Sequence, residues 1–478
     1  LGEGARKFVD WLGQSGQAYW QILPISPTGF GDSPYQAFSA FAGNPYFIDL
    51  EDLHREGLLP RGALDLCESF FASDPDSVDY YAQYLGRPQV LSLAFRHGAG
   101  RLAAGLEAFR KRHQSWLGDY ALYMALKGEY EMKPFDQWPE ALALRYPAAL
   151  KEAAARLKEQ VDYHIFVQYL FFRQWDALRK YAGGRGIRII GDMPIYMAPD
   201  SADAWVEHDI LDRERRVAGC PPDYFSATGQ LWGNPLYDWE KLKETEYAWW
   251  MRRIAHQLSL YDDLRIDHFR GFEAYWAIPA GAKTAESGQW LPGPGIDFFR
   301  RLKKAIGDPP LIAEDLGYLT PEVFELLRET GFPGLKVLHF AFTPGGESIY
   351  LPHRYEKNCV VYTGTHDNDT TMGWYATREE PELQMCLDYI GPTTEPITWA
   401  LMRLAYRSVA DLAITPLQDV LGLGTEARMN TPGRFGNNWA WRFKLEDVKA
   451  EDRAKLAAMA LTYGRKEPEA KQERPKWM

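Results

Sequence analysis

Three acidic residues end short apolar segments that lie far apart in the sequence. Asp267 ends LRID, Glu314 ends LIAE, and Asp367 lies in GTHDN, shortly after CVVY. On a strand, Arg265 and Asp267 point to the same face, and a neighbouring guanidinium favours the ionised form of an aspartate. Glu314 follows an apolar run and precedes Asp315; burial and a nearby negative charge both raise the pKa of a carboxyl group. One ionised and one protonated carboxyl group form the catalytic pair of retaining enzymes that cleave glycosidic bonds.

Each of these carboxylates also has a structural explanation. A single Asp or Glu at a strand end often caps the helix that follows, and an Arg–Asp pair can simply close a strand. All three together favour a catalytic site, because the strand ends of a barrel converge on one face. Ligation of Mg²⁺ by Asp267, Glu314 and Asp367 is an alternative, although we expect neither a metal nor another cofactor.

Aromatic side chains are concentrated in loops that are rich in Gly, Pro and Asn and that follow predicted strand ends. Flat aromatic rings offer stacking surfaces for the C–H faces of pyranose rings. The candidate stacking residues are Tyr35, Tyr224, Phe225, Trp232, Tyr275 and Trp276. His366 is placed to hydrogen-bond a sugar hydroxyl, and Asp192 is either a fourth site carboxylate or an anchor between strand and loop. The pattern predicts a carbohydrate-binding site.

Seven apolar segments predict strands, and helical segments lie between most of them. The predicted strands cover 17–25, 188–196, 264–269, 310–316, 334–340, 359–367 and 412–420. Near-continuous apolar strands that alternate with helices are typical of a parallel sheet covered by helices. Functional residues at several strand C-termini favour an α/β fold of the (β/α)8 (TIM) barrel type, with helical insertions between strands, over an open sheet.

The 478 residues exceed the length of a typical domain, and we expect one catalytic barrel domain, 1–478, that carries insertions. Charged and apolar residues recur at the helical period within 51–159, which predicts a helical insertion subdomain. Residues 197–246 are predicted to form a loop insertion after a barrel strand. The charged, Pro-containing segment 465–478 predicts a disordered tail.

Composition excludes several classes of function. The chain has 54 basic and 65 acidic residues, a net charge of −11, and lacks the basic stripe that would neutralise nucleic-acid phosphates. Apolar runs stay below the about 18 residues of a membrane span, and we expect neither a membrane span nor a signal peptide. Four widely spaced cysteines without a CxxC pair predict reduced thiols and no zinc site. We expect a cytoplasmic monomer or weak homo-oligomer.

Several longer motifs resemble those of one enzyme family. They are GFGDSPYQAFSAFAGNPYFIDL, GDMPIYMAPDSADAW, PPDYFSATGQLWGNPLY, RIDHFRGF, IAEDLG, GTHDN, and RMNTPG with NNWAWRF. The chain resembles glycoside hydrolase family 77, the amylomaltases or 4-α-glucanotransferases, which are related to the α-amylase clan. The resemblance covers nearly the whole chain. It implies transfer of α-1,4-glucan segments between maltooligosaccharide donors and acceptors.

The resemblance also implies roles for single residues. Asp267 corresponds to the nucleophile and Glu314 to the general acid/base. Asp367 corresponds to a third carboxylate, which holds the hydroxyls of the sugar at the cleavage point and favours its distorted form. Arg265 and His366 line the same subsite.

Further positions correspond to the family's glucan-binding loops. The segment 219–237 corresponds to a mobile loop over the donor and acceptor subsites, and it carries Asp223, Tyr224 and Phe225. Tyr35 corresponds to an aromatic residue near the acceptor side. The family also has a short segment with an SLP-type sequence that holds the first barrel strand, and we expect this strand to be absent from the present sequence.

Two other functions compete with glucan transfer. An α-glucan hydrolase on the same scaffold would use the same carboxylates, and the sequence separates it from a transferase only through the loops. A non-catalytic glucan-binding protein would keep the aromatic residues, but the intact set Asp267, Glu314 and Asp367 argues against it.

Overall fold

The structure, a computed structural model, describes residues 1–29, 31–71, 74–222, 226–345, 347–434 and 436–466. In these ranges the chain forms two sheets. Their strands are β1 (Tyr19–Gln21), β2 (Arg188–Pro194), β3 (Val217–Cys220), β4 (Gln230–Pro235), β5 (Asp263–Asp267), β6 (Ala274–Ile278), β7 (Gln289–Pro292), β8 (Leu311–Ala313), β9 (Gly334–Val337), β10 (Cys359–Tyr362) and β11 (Leu412–Ile414).

Helices connect and cover these strands. They are α1 (Glu3–Gln14), α2 (Leu50–Arg55), α3 (Arg61–Phe71), α4 (Tyr80–Gly98), α5 (Ala103–Arg112), α6 (Leu117–Glu129), α7 (Glu140–Ala143), α8 (Pro147–Arg156), α9 (Lys158–Gly184), α10 (Ala202–Val206), α11 (Trp239–Glu244), α12 (Ala248–Leu260), α13 (Gly295–Ile306), α14 (Pro321–Thr330), α15 (Thr371–Thr377), α16 (Glu380–Ile390), α17 (Ile397–Tyr406), α18 (Leu417–Leu421) and α19 (Ala450–Thr462). No described helix is long and apolar enough to cross a membrane.

The larger sheet is a parallel barrel sheet with the strand order β1-β2-β5-β8-β9-β10-β11. Its strands are short and apolar, and every residue of β8 and β10 is buried. Burial on both faces is what a parallel sheet covered by helices requires. The seven strands predicted from the sequence all form, at shorter lengths, and the predicted α/β barrel is confirmed. Within the described residues β1 and β11 end this sheet, and a cavity of about 710 Å³ is lined by residues of both.

The region predicted as an insertion, 51–159, is helical, and it holds most of α2 and the whole of α3–α8. Its contact with the barrel includes Lys127, whose side chain is 1% exposed. Lys127 Nζ donates to Asp200 Oδ2 at 2.6 Å and to the carbonyls of Met132 and Lys133. Asp200 lies in the loop after β2, so this ion pair, with a buried lysine and a partly exposed aspartate, joins the insertion to a loop at the end of a barrel strand. The division of the chain into a barrel and an insertion subdomain stays a prediction.

A second sheet was not predicted from the sequence. It is antiparallel, with the order β4-β3-β6-β7, and two of its strands come from the segment 197–246 that was predicted as a loop. Tyr275 and Trp276, predicted in a loop, lie in β6, and Trp276 pairs with Trp290 of β7 at 5.2 Å between ring centroids. These strands have only four to six residues, so their stability comes from long-range pairing and not from a local pattern.

The segment predicted as a tail, 465–478, is only partly described. Residues 467–478 lie outside the described residues. Arg465 is hydrogen-bonded to the backbone carbonyls of Tyr406, Ser408 and Ala410, between α17 and β11. The first residue of the predicted tail therefore packs against the barrel.

The Lys127–Asp200 pair, in which the lysine is buried, leads to a prediction on stability. Lys127→Ala leaves two partly buried carbonyls and one partly buried carboxylate without their cation, and we expect a loss of about 3 kcal/mol in the free energy of unfolding. The matched control is Lys158→Ala, because Lys158 pairs with Asp162 at the surface with a side chain that is 76% exposed. Its loss should stay below about 0.5 kcal/mol. Urea denaturation followed by circular dichroism measures both, and equal losses would contradict the prediction.

Candidate active site

The predicted nucleophile and acid/base lie at the C-terminal ends of two paired strands. Asp267 is the last residue of β5, and Glu314 directly follows β8. Ile266 and Ala313 are register partners, so the two carboxylates occupy the next position on each strand. Adjacent positions on neighbouring parallel strands bring the two residues to the same end of the barrel. Asp367 lies in the loop after β10, at the same end of the barrel.

Arg265 links two carboxylates inside the barrel. Its Nη1 donates to both carboxylate oxygens of Asp192 at 2.8 Å and to Asp267 Oδ1 at 2.9 Å. Asp192 on β2 is the register partner of Arg265 and is fully buried. Burial raises the pKa of Asp192, while the charge of Arg265 acts in the opposite direction. Asp192 thus belongs to the charged cluster beside Asp267, and its role as a site carboxylate or as an anchor stays a prediction.

Glu314 is buried beside this cluster and has the properties of a group that can give and take a proton. Its pKa is raised to about 7, chiefly by burial and also by the charge of Asp267, against the lowering effects of Arg265 and of the backbone N–H of His268. Glu314 Oε2 accepts from the His268 N–H at 2.7 Å, and Oε1 accepts from the Leu316 N–H at 3.0 Å. The carboxyl group is therefore fixed by two backbone donors from two different loops.

Tyr35 and His366 connect Asp192 to Asp367. The Tyr35 hydroxyl donates to Asp192 Oδ2 at 2.9 Å and lies 2.9 Å from His366 Nε2. The two rings stack at 5.3 Å with an interplanar angle of 15°. His366 Nε2 lies 3.4 Å from Asp367 Oδ1. One continuous polar chain thus runs from Asp267 through Arg265, Asp192, Tyr35 and His366 to Asp367.

Two residues without a predicted role hold Asp367. Asn430 Nδ2 donates to Asp367 Oδ1 at 2.6 Å, and Arg428 Nη2 donates to the Asp367 carbonyl at 2.7 Å. Trp439 lies beside them, 5.8 Å from the His366 ring. All three belong to the motifs RMNTPG and NNWAWRF, which were quoted above only for the resemblance. They lie in loops after the last barrel strand, where no periodic pattern indicates a side chain's direction.

The predicted aromatic residues are only partly brought to this site. Trp232 on β4 packs edge-on against the His268 ring at 4.9 Å, one residue from Asp267. Burial lowers the pKa of His268 to about 4, so this imidazole is neutral at pH 7. Asp223, Tyr224 and Phe225 lie outside the described residues. The strands that flank them, β3 and β4, are paired, with Gly219 opposite Leu231.

The carboxylates already have a cation in Arg265. Among the described residues, no group of three or more His, Cys, Asp or Glu side chains is arranged to hold a metal ion. The arrangement can therefore place an anionic nucleophile, a proton donor and hydroxyl-binding groups around one sugar ring.

Comparison with known proteins identifies one family. The model of the 4-alpha-glucanotransferase family, glycoside hydrolase family 77, matches residues 1–447. A 4-alpha-glucanotransferase of Synechocystis sp. is 49% identical, with 98% of this chain and 94% of that protein covered. The enzyme of Thermus thermophilus is also 49% identical, over 96% of this chain and 94% of its own length. The structure of an amylomaltase from Streptococcus agalactiae in complex with acarbose is similar, with a TM-score of 0.95, 40% identity, and 98% and 96% of the two chains covered.

The family model matches most of the chain, and the relatives are well above 30% identity over almost all of it. The chain belongs to the 4-α-glucanotransferase family, glycoside hydrolase family 77.

Proposed function

We propose that this chain is a 4-α-glucanotransferase, which moves segments of α-1,4-glucan from one maltooligosaccharide to another with retention of configuration. The observation that carries the proposal is the placement of Asp267 and Glu314 at adjacent register positions of β5 and β8. Family membership and the names of the relatives support the activity.

In the first half-reaction, Asp267 attacks the anomeric carbon of the donor and forms a glycosyl ester. The bond from that carbon to the O4 of the leaving glucan breaks, and Glu314 gives its proton to this oxygen. Arg265 orients the attacking carboxylate through its hydrogen bond to Asp267 Oδ1. The leaving glucan departs with a free 4-hydroxyl, and Glu314 is now ionised.

In the second half-reaction, the 4-hydroxyl of the acceptor gives its proton to Glu314. Its oxygen attacks the anomeric carbon, the ester bond to Asp267 breaks, and a new α-1,4 bond forms. A pKa of about 7 suits Glu314 to both steps, because neither protonation state is strongly favoured at neutral pH. Two successive inversions give overall retention.

Asp367 and His366 are proposed to bind the hydroxyls of the sugar at the cleavage point. Asn430 occupies Asp367 Oδ1, which leaves Oδ2 for a hydroxyl, and the Asp367 side chain is 43% exposed. Tyr35 fixes the His366 ring by stacking. Interactions that are stronger with a distorted ring than with a relaxed one would lower the barrier to ester formation.

Transfer instead of hydrolysis requires that the acceptor compete with water. Exclusion of water and good binding of the acceptor are the two means available. We propose that Tyr35, Trp232 and the segment with Asp223, Tyr224 and Phe225 form the surfaces that bind glucan on the donor and acceptor sides. Hydrolysis of α-glucans is the second candidate function, and a hydrolase would give different products from those of a transferase.

We also propose that the enzyme works in the cytoplasm, as a monomer or a weak homo-oligomer. Cys67, Cys359 and Cys386 are free thiols, which is usual in reducing compartments. The net charge of −11 favours neutral glucans over nucleic acids as partners.

Incubation with maltotriose tests the proposed function. We expect glucose together with a ladder of maltooligosaccharides longer than maltotriose, resolved by chromatography. Glucose and maltose alone would identify a hydrolase and contradict the proposal. A parallel incubation with EDTA should give the same ladder, because Arg265 supplies a cation beside the nucleophile.

Asp267→Asn tests the nucleophile. The amide keeps the shape of the side chain but is a poor nucleophile, so we expect kcat for maltotriose to fall at least about 10³-fold. The melting temperature should change little. Asp162→Asn is the control, because it replaces an aspartate of the helical insertion that pairs with Arg110 and Lys158. Substantial activity in Asp267→Asn would remove the nucleophile assignment.

The pKa of Glu314 predicts the pH dependence of kcat/KM. The pKa is raised from 4.5 to about 7, so the acid stays protonated at pH 6 and loses its proton as the pH rises through 7. We expect kcat/KM to fall about tenfold per pH unit above that value. Asp315→Asn removes a charge that raises this pKa, and it should move the basic limb to lower pH. A flat profile up to pH 9 would contradict the assignment of Glu314 as the acid.

A further inference from the structure

A buried polar network lies behind the loop that carries His366 and Asp367. The network consists of Asp419 on α18, Thr363 at the end of β10, Thr371 at the start of α15, and His339 in the turn after β9. All four side chains are buried, and Asp419 and both threonines are completely so. None of them belongs to the polar chain that touches the proposed substrate position.

Asp419 accepts hydrogen bonds from both ends of this loop, residues 364–370. The Thr363 hydroxyl donates to Asp419 Oδ2 at 2.6 Å, from the residue before the loop. The Thr371 backbone N–H donates to Oδ1 at 2.9 Å, and its hydroxyl donates to Oδ2 at 2.8 Å, from the residue after the loop. One carboxylate thus holds the two points where the loop leaves and rejoins the barrel.

His339 continues the network on the other side. Its Nε2 lies 3.0 Å from the Thr371 hydroxyl, and since that hydroxyl gives its proton to Asp419, Nε2 is the donor. The imidazole stacks on Trp374 at 4.9 Å with an angle of 4°. A Cβ on Gly364 would lie 2.6 Å from its Cε1, so only glycine fits at the first loop position. The start of loop 364–370 thus packs closely against the His339 ring.

A buried carboxylate with three donors is costly to desolvate, and its position behind a functional loop gives it a use beyond packing. We infer that Asp419 is a positioning residue: by fixing both ends of loop 364–370, it sets where His366 and Asp367 meet the reacting sugar. The inference rests on the proposed function. Asn430 and Arg428 hold the exposed side of Asp367, and Asp419 holds the buried side of its loop.

The main variant is Asp419→Ala, which leaves three buried donors without an acceptor. A displacement of about 1 Å in a catalytic group can cost about 100-fold in rate. We expect kcat for maltotriose to fall by about this factor while KM changes less than about threefold. Asp419→Asn should recover most of the activity, because its amide can accept from the Thr371 N–H and donate to the two hydroxyls.

A double substitution separates positioning from general destabilisation. If Asp419 acts through the loop, Asp419→Ala in an Asp367→Ala background should lower kcat no further than about twofold, since effects on one functional unit are not additive. The matched control is Leu178→Ala, a fully buried truncation on α9 away from the loop. It should lower the melting temperature without changing kcat. Multiplicative effects of the two substitutions would overturn the inference.

A second variant and a structural measurement test the same inference without relying on the activity of Asp419→Ala. If Asp419→Ala does not fold, Thr363→Val removes one of the three donors with nearly unchanged shape, and it should show a smaller kcat loss with the same non-additivity. Crystal structures of the wild type and the variant provide a readout without activity: His366 and Asp367 should shift relative to Asp267. An unshifted loop would overturn the inference, whereas a wild type without transferase products would instead overturn the proposed function.

Discussion

The site depends on one buried cation held between two carboxylates. Arg265 has a side chain that is 4% exposed, and it is shared by Asp192, which is completely buried, and Asp267, which is partly open. Removal of such charges from water costs roughly several kcal/mol per ion, and only close pairing with good geometry compensates for it. The pairing is good here because Asp192 and Arg265 are register partners on neighbouring strands. The β2–β5 register therefore determines both the charge balance of the barrel interior and the orientation of the nucleophile.

The remaining groups are placed relative to this cluster. Tyr35 donates to Asp192 Oδ2, and its hydroxyl also lies within hydrogen-bond distance of His366 Nε2. Glu314 is bound to the backbone that directly follows Asp267. A shift of one residue in the β2–β5 register would turn Arg265 away from Asp192. The Tyr35–His366 pair, which is bound to Asp192 through the Tyr35 hydroxyl, would then be separated from Asp267 and Glu314. The register of the barrel strands thus sets the relative positions of side chains that come from distant parts of the sequence.

Sequence reasoning found the parts of this structure that follow from local patterns. The seven barrel strands are continuous apolar runs, and the residues at their ends, such as Asp267 and Glu314, were visible for that reason. The antiparallel sheet was missed, because strands such as β6 and β7 are short and depend on pairing between distant segments. Asn430 and Arg428 were missed because irregular loops carry no periodicity. The contact between Asp192 and Arg265 was missed because it depends on the pairing register of β2 and β5, which cannot be read from either strand's sequence alone. The division into a barrel and an insertion stays a prediction.

The two hydrogen bonds to Glu314 have a consequence for substitutions at the residues beside it. Both donors are backbone N–H groups, of His268 and Leu316, and His268 has a left-handed conformation with φ 54° that directs the chain across the end of β8. Replacement of either side chain leaves the donors in place. The orientation of the acid/base carboxyl group is thus set by the path of the main chain, whereas its pKa depends on burial and on the charges of Arg265, Asp267 and Asp315.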